Sequence, residues 1–333
     1  MKRTEMAKNT IKEIRVAAVQ MESKDCSVDY NLGRAAIFAE QAAKENAQIV
    51  LFPELMPTGY LMSKKIWDFA EPKEGPTVIW LRQTSKRLNL WMGTSFLEAD
   101  GEDFYNTFML TNPDGKDIIR VRKQTPAAME SYFFRGIQGK HSVDTEFGKI
   151  GIGICYEGMR SYWSNLMHQD LPDLILMPLC APAPTQNFYT SEKNIEDYNN
   201  LIKNNPQKTA QDFGIPVLMA NKCGTWKTPM PWPLEAQDST FPGFSQIIDS
   251  DGTVKKQLDN KEGIIVADVV LDPSRKFKNP SKNYGRWSIK VPSYFNYMII
   301  SEIIGKIWYT FNSERKRKAL RMSSRGISGR ESR

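Results

Sequence analysis

Histidine and cysteine are scarce in this chain: two histidines, His141 and His168, and four cysteines, Cys26, Cys155, Cys180 and Cys223, among 333 residues. The cysteine spacings match neither a zinc-ligand pattern nor a C-x-x-C redox pair. A chain of this length builds a core without disulfide staples, and free thiols in a reducing compartment follow. Glycine-rich phosphate loops and internal repeats are absent. Residues 1–14 are polar and charged and lack the apolar stretch of a secretory signal, so a cytoplasmic location is expected. Net positive charge is scarce outside one region. The formal net charge is +7, yet the segment from Ser313 onward holds Arg315, Lys316, Arg317, Lys318, Arg321, Arg325, Arg330 and Arg333 against only Glu314 and Glu331. The body is therefore near neutral, which argues against a specific nucleic-acid groove and assigns the basic charge a separate task.

What is present is an α/β pattern. Apolar strands are read at 16–20, 48–52, 90–96, 149–154, 173–177 and 216–220, and helices at 31–45 and 77–89, from period-two and period-3.6 spacing. Asn112-Pro-Asp-Gly115 marks a hairpin between 106–110 and 118–121, and Asp251-Gly252 is read as joining 244–248 to 263–267 in a late β pair. A mixed sheet covered by helices is expected.

Three side chains sit where strands end. Cys155 follows the strand 149–154 directly, where a turn can present its sulfur beside free backbone N–H groups; a buried core cysteine is the competing reading. Glu54 follows Leu51-Phe52-Pro53, and sites in open α/β sheets lie at strand C-termini. Among apolar neighbours its carboxylate suits a general base, although a solvated loop glutamate fits the same position. Lys123 closes Arg120-Val-Arg-Lys123 and reads either as a solvated edge charge or as a fixed cation beside a thiolate. The rival activator, histidine, has no distinctive context: His141 lies in a loop and His168 in a helix thirteen residues after Cys155.

Taken together, Phe52-Pro-Glu54-Leu55, Arg122-Lys123 and Gly153-Ile-Cys155-Tyr-Glu157 occur in a set order. That order resembles the nitrilase superfamily of carbon–nitrogen hydrolases, whose members use a glutamate, a lysine and a cysteine in that sequence. Residues 129–136 resemble the family segment with a supporting glutamate, here Glu130. Residues 220–224 are similar to its strand-end asparagine segment, 243–252 to its late hairpin and 16–20 to its first strand. The likeness runs from Ile14 to Asp272.

It implies a four-layer α-β-β-α sandwich, homodimers or larger homo-oligomers, and a catalytic set of Glu54, Lys123, Cys155 and Glu130. It also implies thioester chemistry on a small amide or nitrile without a metal or organic cofactor. Two departures shape the substrate reading: Gln124-Thr-Pro-Ala follows the lysine in place of the family's His-Leu, and Cys155-Tyr-Glu replaces the Cys-Trp-Glu of true nitrilases, which favours an amidase-like branch. Nitrilase, N-carbamoyl amide hydrolase and acyltransferase activities are the alternatives within the fold. A non-catalytic membrane- or partner-binding module is the alternative of another class.

Tyr60, Tyr156 and Glu157 are candidate substrate contacts; Glu157 alternatively pairs with a local cation. Residues 178–184 and 226–242, with Trp226 and Trp232, are candidate lids.

The expected organisation is a lead-in at 1–13, the hydrolase domain at 14–272, an extension at 273–312 and a disordered basic tail at 313–333. In the extension, Ile300, Ile303, Ile304, Ile307, Trp308 and Phe311 fall on one helical face, which either docks on the domain or a partner subunit or, with the basic tail, rests on an anionic membrane through 294–333. The second reading places the protein at the inner membrane surface.

Overall fold

Along the first strand, Val16 and Ala18 point to one side, Ala17 and Val19 to the other, and all four are fully buried. A strand apolar on both faces must be covered twice, and the architecture follows from that. The computed structural model describes residues 10–186, 190–230, 235–277, 282–292 and 295–325. Strands and helices are numbered in chain order. One six-stranded sheet comprises β1 (Lys12–Gln20), β2 (Ile49–Leu51), β3 (Trp91–Asp100), β4 (Asp103–Thr111), β5 (Asp117–Arg122) and β14 (Gly263–Leu271), in the order β14-β1-β2-β3-β4-β5. The other comprises β6 (Ser142–Thr145), β7 (Gly148–Ile152), β8 (Leu174–Pro178), β9 (Val217–Ala220), β12 (Gln246–Ile248) and β13 (Val254–Gln257), in the order β13-β12-β9-β8-β7-β6. In each sheet three parallel strands form the centre, and antiparallel strands flank them.

Val16, Ala18, Leu51 and Phe108 of the first sheet meet Ile152, Leu176 and Leu218 of the second in the central layer. The opposite faces are covered by helices: α1 (Val28–Lys44) and α2 (Pro76–Leu88) on the first sheet, α3 (Ser161–Asp170) and α4 (Glu192–Phe213) on the second. This is the four-layer sandwich the family likeness implied. A small ribbon, β10 (Cys223–Thr228) with β11 (Gln237–Pro242), stands apart from both sheets.

Three expectations change. The turn at Asp251-Gly252 joins β12 to β13, not 244–248 to 263–267. Strand β14 instead crosses to the other sheet and pairs with β1 along its whole length, because its alternating apolar residues fill the open edge beside β1. The basic segment from Ser313 is not a solvated tail over its first part: α6 (Ser313–Ser324) is helical, with Arg315, Ala319 and Met322 buried at i, i+4 and i+7. Residues 326–333, the lead-in 1–9 and Trp232 lie outside the described residues.

The third change concerns α5 (Phe295–Phe311). It docks on the sandwich, but through Phe295, Gly305 and Tyr309, while the isoleucine face points to solvent. Gly305 sets the approach: a Cβ there would stand 2.6 Å from the Tyr132 ring and 2.9 Å from Ser131 Cβ. Alanine at 305 adds about 1 kcal/mol of helix propensity yet overpacks this contact. Gly305→Ala is therefore expected to lose roughly 1–3 kcal/mol in urea denaturation; a variant more stable than the parent would refute the close approach.

Candidate active site

The parallel strands of both sheets deliver their C-terminal ends to one place. Glu54 leaves β2 after Phe52-Pro53, and its backbone N–H donates to Leu179 O of the other sheet at 3.1 Å. Ser95 Oγ accepts from Leu55 N–H at 2.8 Å, and Thr94 Oγ1 donates to Pro53 O at 2.9 Å, so β3 pins the turn that carries Glu54. Lys123 directly follows β5, and its N–H donates to Asn106 O at 2.9 Å. Cys155 opens a short 3-10 turn, Cys155–Met159, just beyond β7.

The side chains converge. Lys123 Nζ donates to Glu54 Oε1 at 2.6 Å and to Glu130 Oε2 at 2.8 Å, and all three side chains are fully buried. Asn106 Nδ2 donates to the same Glu54 oxygen at 2.7 Å. Glu130 Oε1 accepts from Tyr60 Oη at 2.7 Å, and Glu130 Oε2 accepts from Ala127 N–H at 2.9 Å. Glu54 Oε2 is buried without a hydrogen-bond partner, and the Cys155 thiol faces this carboxylate and favours its charged form. Asn106 Oδ1 is likewise unpartnered, but the open Glu54 oxygen is a carboxylate acceptor beside the thiol, where a proton from a thiol, a substrate or a water can be received.

Backbone strain collects at the same point. Leu55, Ala128 and Cys155 hold φ of 47°, 41° and 52°, a left-handed region that costs non-glycine residues on the order of 1–3 kcal/mol. Each stands at or beside a member of the cluster.

Charge and burial tune the groups. Burial first, and then the Glu130 charge, push Glu54 up to about 7, against the pull of Lys123. Burial opposes the Lys123 ammonium, but Glu130 and Glu54 outweigh it and hold the proton on. Burial and the Glu54 charge raise the Cys155 thiol well above its ordinary value; Lys123 and the Cys180 backbone oppose them. The resting cysteine is a thiol beside a carboxylate poised near neutrality, an arrangement suited to proton transfer at the moment of attack.

Cys155 opens onto a cavity of about 150 Å³. Among the described residues its walls are Tyr60, Ala127 to Met129, Tyr156, Met159, residues 179–184, Tyr198, Ile202, Trp226, Phe295 and Met298, with Asn205 and Gln237 as the amides and no charged residue among them. Tyr60 and Tyr156 thus both line it. Tyr156 presents only its ring, because Arg160 Nη1 donates to its Oη at 3.0 Å. Glu157 does not line it: its Oε1 accepts from Gln124 N–H at 2.6 Å and Tyr162 Oη at 2.8 Å, with His141 Nε2 at 3.4 Å. Although burial opposes it, His141 and Tyr162 keep the Glu157 carboxyl low. Trp226 packs on Tyr60 and donates its Nε1–H to Tyr60 O at 2.8 Å. Leu179 to Pro184, with Trp226 and Gln237 from the second candidate lid, thus wall the cavity.

Sequence reasoning did not single out Asn106 or Lys222. Asn106 is a buried amide within an apolar strand, a signal in itself; Lys222 donates from Nζ to Leu55 O at 3.0 Å and braces the Glu54 turn. Among the described residues no three His, Cys, Asp or Glu side chains are grouped as metal ligands.

Comparison with known proteins places these features in a family. The family model described as carbon–nitrogen hydrolase matches residues 15–279. A citrullinase of Francisella tularensis is 29% identical over 255 residues, covering 72% of this chain and 82% of that protein. An N-carbamoylputrescine amidase of rice, Oryza sativa subsp. japonica, is 26% identical over 301 residues, covering 86% and 95%. The crystal structure of a carbon–nitrogen hydrolase from Helicobacter pylori G27 superposes with a TM-score of 0.70 at 20% identity, covering 79% of this chain and 91% of that one.

The site geometry sets a pH dependence. Below about pH 7 Glu54 is protonated and cannot accept the thiol proton; above it the carboxylate is available. Alkylation of Cys155 by iodoacetamide, followed by intact mass, should rise with pH through about 7, and Glu54→Gln should abolish that step. An unchanged profile in Glu54→Gln would separate the two groups.

Proposed function

The chain belongs to the carbon–nitrogen hydrolase family, and from that premise we propose that it hydrolyses a small amide with an apolar acyl group through a thioester on Cys155. The observation that carries this reading is the buried Lys123 bridging Glu54 and Glu130 beside Cys155, which opens onto a cavity with no charged side chain among its described walls. Three buried ionisable groups cost several kcal/mol of desolvation apiece before their attraction is counted, so the cluster is poorly explained as a stabilising device. Residues 14–272 form the catalytic domain in this reading.

Glu54 takes the Cys155 proton as sulfur attacks the amide carbon. The negative charge that develops on oxygen faces the Lys123 ammonium and a backbone N–H of the turn after Cys155, which the start of a helix leaves without an internal acceptor. Glu130, fixed by Tyr60 and Ala127, holds Lys123 in place. The tetrahedral species collapses as Glu54 returns its proton to the departing nitrogen. Water then enters, Glu54 removes its proton, the hydroxide attacks the thioester, and Glu54 returns the proton to the departing sulfur, leaving a carboxylic acid and the free Cys155 thiol.

The cavity supports the amide reading over a charged carbamoyl substrate. An ammonium or carboxylate on the acyl group would lose its hydration without meeting a counter-charge, whereas each methylene buried contributes about 0.8 kcal/mol. With an amide series of increasing acyl length, kcat/KM is expected to rise roughly fourfold per methylene until the cavity is filled. Mass spectrometry should show the matching acyl adduct on Cys155. A preference for ureido compounds with a charged tail, or for nitriles over their amides, would overturn the assignment. Glu54→Gln is expected to slow both acylation and thioester hydrolysis, by on the order of 10²–10⁴; equal rates would remove Glu54 from the mechanism.

A further inference from the structure

The helix α5 presents two faces with the usual order reversed. Its sandwich face holds Phe295, Gly305 and Tyr309, with Tyr309 Oη accepting from Phe104 N–H at 2.9 Å. Glu302, on the same side, lies 3.4 Å from Arg160. The opposite face exposes Ile300, Ile303, Ile304, Ile307 and Phe311, each about half exposed and Phe311 at 82%. These positions fall at i, i+3, i+4, i+7 and i+11, one stripe along three turns of helix. Scattered apolar residues on a surface are ordinary, but a contiguous stripe of this kind marks a surface that is covered in use.

What covers it is indicated by the charge beside it. Helix α6 follows after Asn312 and adds Lys316, Arg317 and Arg321 as exposed cations next to exposed Leu320. Lys306 lies exposed on α5 itself. Acidic partners are few and solvated: Lys316 meets Glu102 at 3.2 Å, Arg321 meets Asp68 at 3.5 Å, and Arg317 reaches only the Ser313 hydroxyl at 3.4 Å. Exposed pairs of this kind neutralise little. An anionic surface would meet these cations with charge of the opposite sign.

The helix also has the dimensions to lie flat on a bilayer and not to cross it. It spans 17 residues with Glu302 and Lys306 among them, and no helix among the described residues is long and apolar enough to span a membrane.

We propose that α5 lies in the plane of an anionic bilayer surface, its isoleucine stripe among the acyl chains and the cations of α6 against the lipid headgroups. Apolar insertion together with a polybasic patch is the pair of signals that gives stable attachment. Attachment does not depend on the reaction proposed above. The two are nevertheless joined in space, because Phe295 and Met298, from the first turn of the same helix, wall the cavity beside Cys155.

The test is flotation of the full-length protein with phosphatidylcholine vesicles containing or lacking phosphatidylglycerol. Binding is expected only to the anionic vesicles, with loss as salt rises. Ile303→Asp with Ile307→Asp should abolish it while leaving the melting temperature and Cys155 alkylation unchanged, since both side chains are exposed and remote from the cluster. Replacing Lys316, Arg317 and Arg321 by alanine should weaken partitioning about a hundredfold, roughly fivefold per charge. No flotation at low salt overturns the proposal, as does flotation that the aspartate pair leaves intact. Sedimentation equilibrium decides the remaining case: a dimer that the aspartate pair dissociates assigns the stripe to a second copy and also overturns it.

Discussion

A single ammonium held between two carboxylates, all three sealed from solvent, is the interaction on which the site depends. Lys123 Nζ lies within 2.8 Å of both Glu54 and Glu130. Isolated, any one of these charges in the interior would be prohibitively desolvated. Burial raises the Glu54 carboxyl towards neutrality, with Glu130 adding to the rise and Lys123 opposing it. The remaining lone pairs are satisfied by Asn106, Tyr60 and the Ala127 backbone, with Glu54 Oε2 left open. The cluster is thus tightly positioned yet has one unfilled acceptor beside a thiol.

Holding it requires both sheets. Glu54 and Lys123 come from the first sheet and Cys155 from the second, and the Glu54 turn is tied to Leu179 across the gap. The left-handed backbone at Leu55, Ala128 and Cys155 shows local conformational preference overruled at each of the three approaches. Such strain persists where surrounding packing over-determines it: Leu55 lies in the apolar cluster of Tyr60 and Trp67, and Cys155 packs against that of Tyr156 and Met159. His141 and Glu157 form a separate buried pair behind the Cys155 turn. They support the frame through Gln124 and Tyr162 and take no place in the cavity.

The C-terminal helices add a second constraint. Because Gly305 allows α5 to meet Ser131 and Tyr132 closely, the helix rests on the short turn that carries Glu130. Its first residues reach the cavity and its polar side reaches Tyr156 through Arg160. The extension is therefore a structural part of the site's wall, even though it lies beyond the segment resembling the family.

The sequence by itself determined the strand-end residues, their order and the sandwich they imply, because alternation, proline stops and the short motifs around Glu54, Lys123 and Cys155 are local properties of the chain. Tyr60 and Tyr156 as cavity residues were legible for the same reason, being adjacent to those motifs. Only tertiary structure decided that Glu157 turns towards His141 and lies outside the cavity walls, that Asn106 holds Glu54, that β14 crosses to pair with β1, and that α5 shows its isoleucines outward. Each of these depends on which neighbour, distant in sequence, wins a buried hydrogen bond or an open sheet edge. For α5 the deciding competition was one of fit: a glycine contact against Tyr132 fixed the helix's rotation, and a hydrophobic pattern, which specifies a face but not its partner, had no means to reveal it.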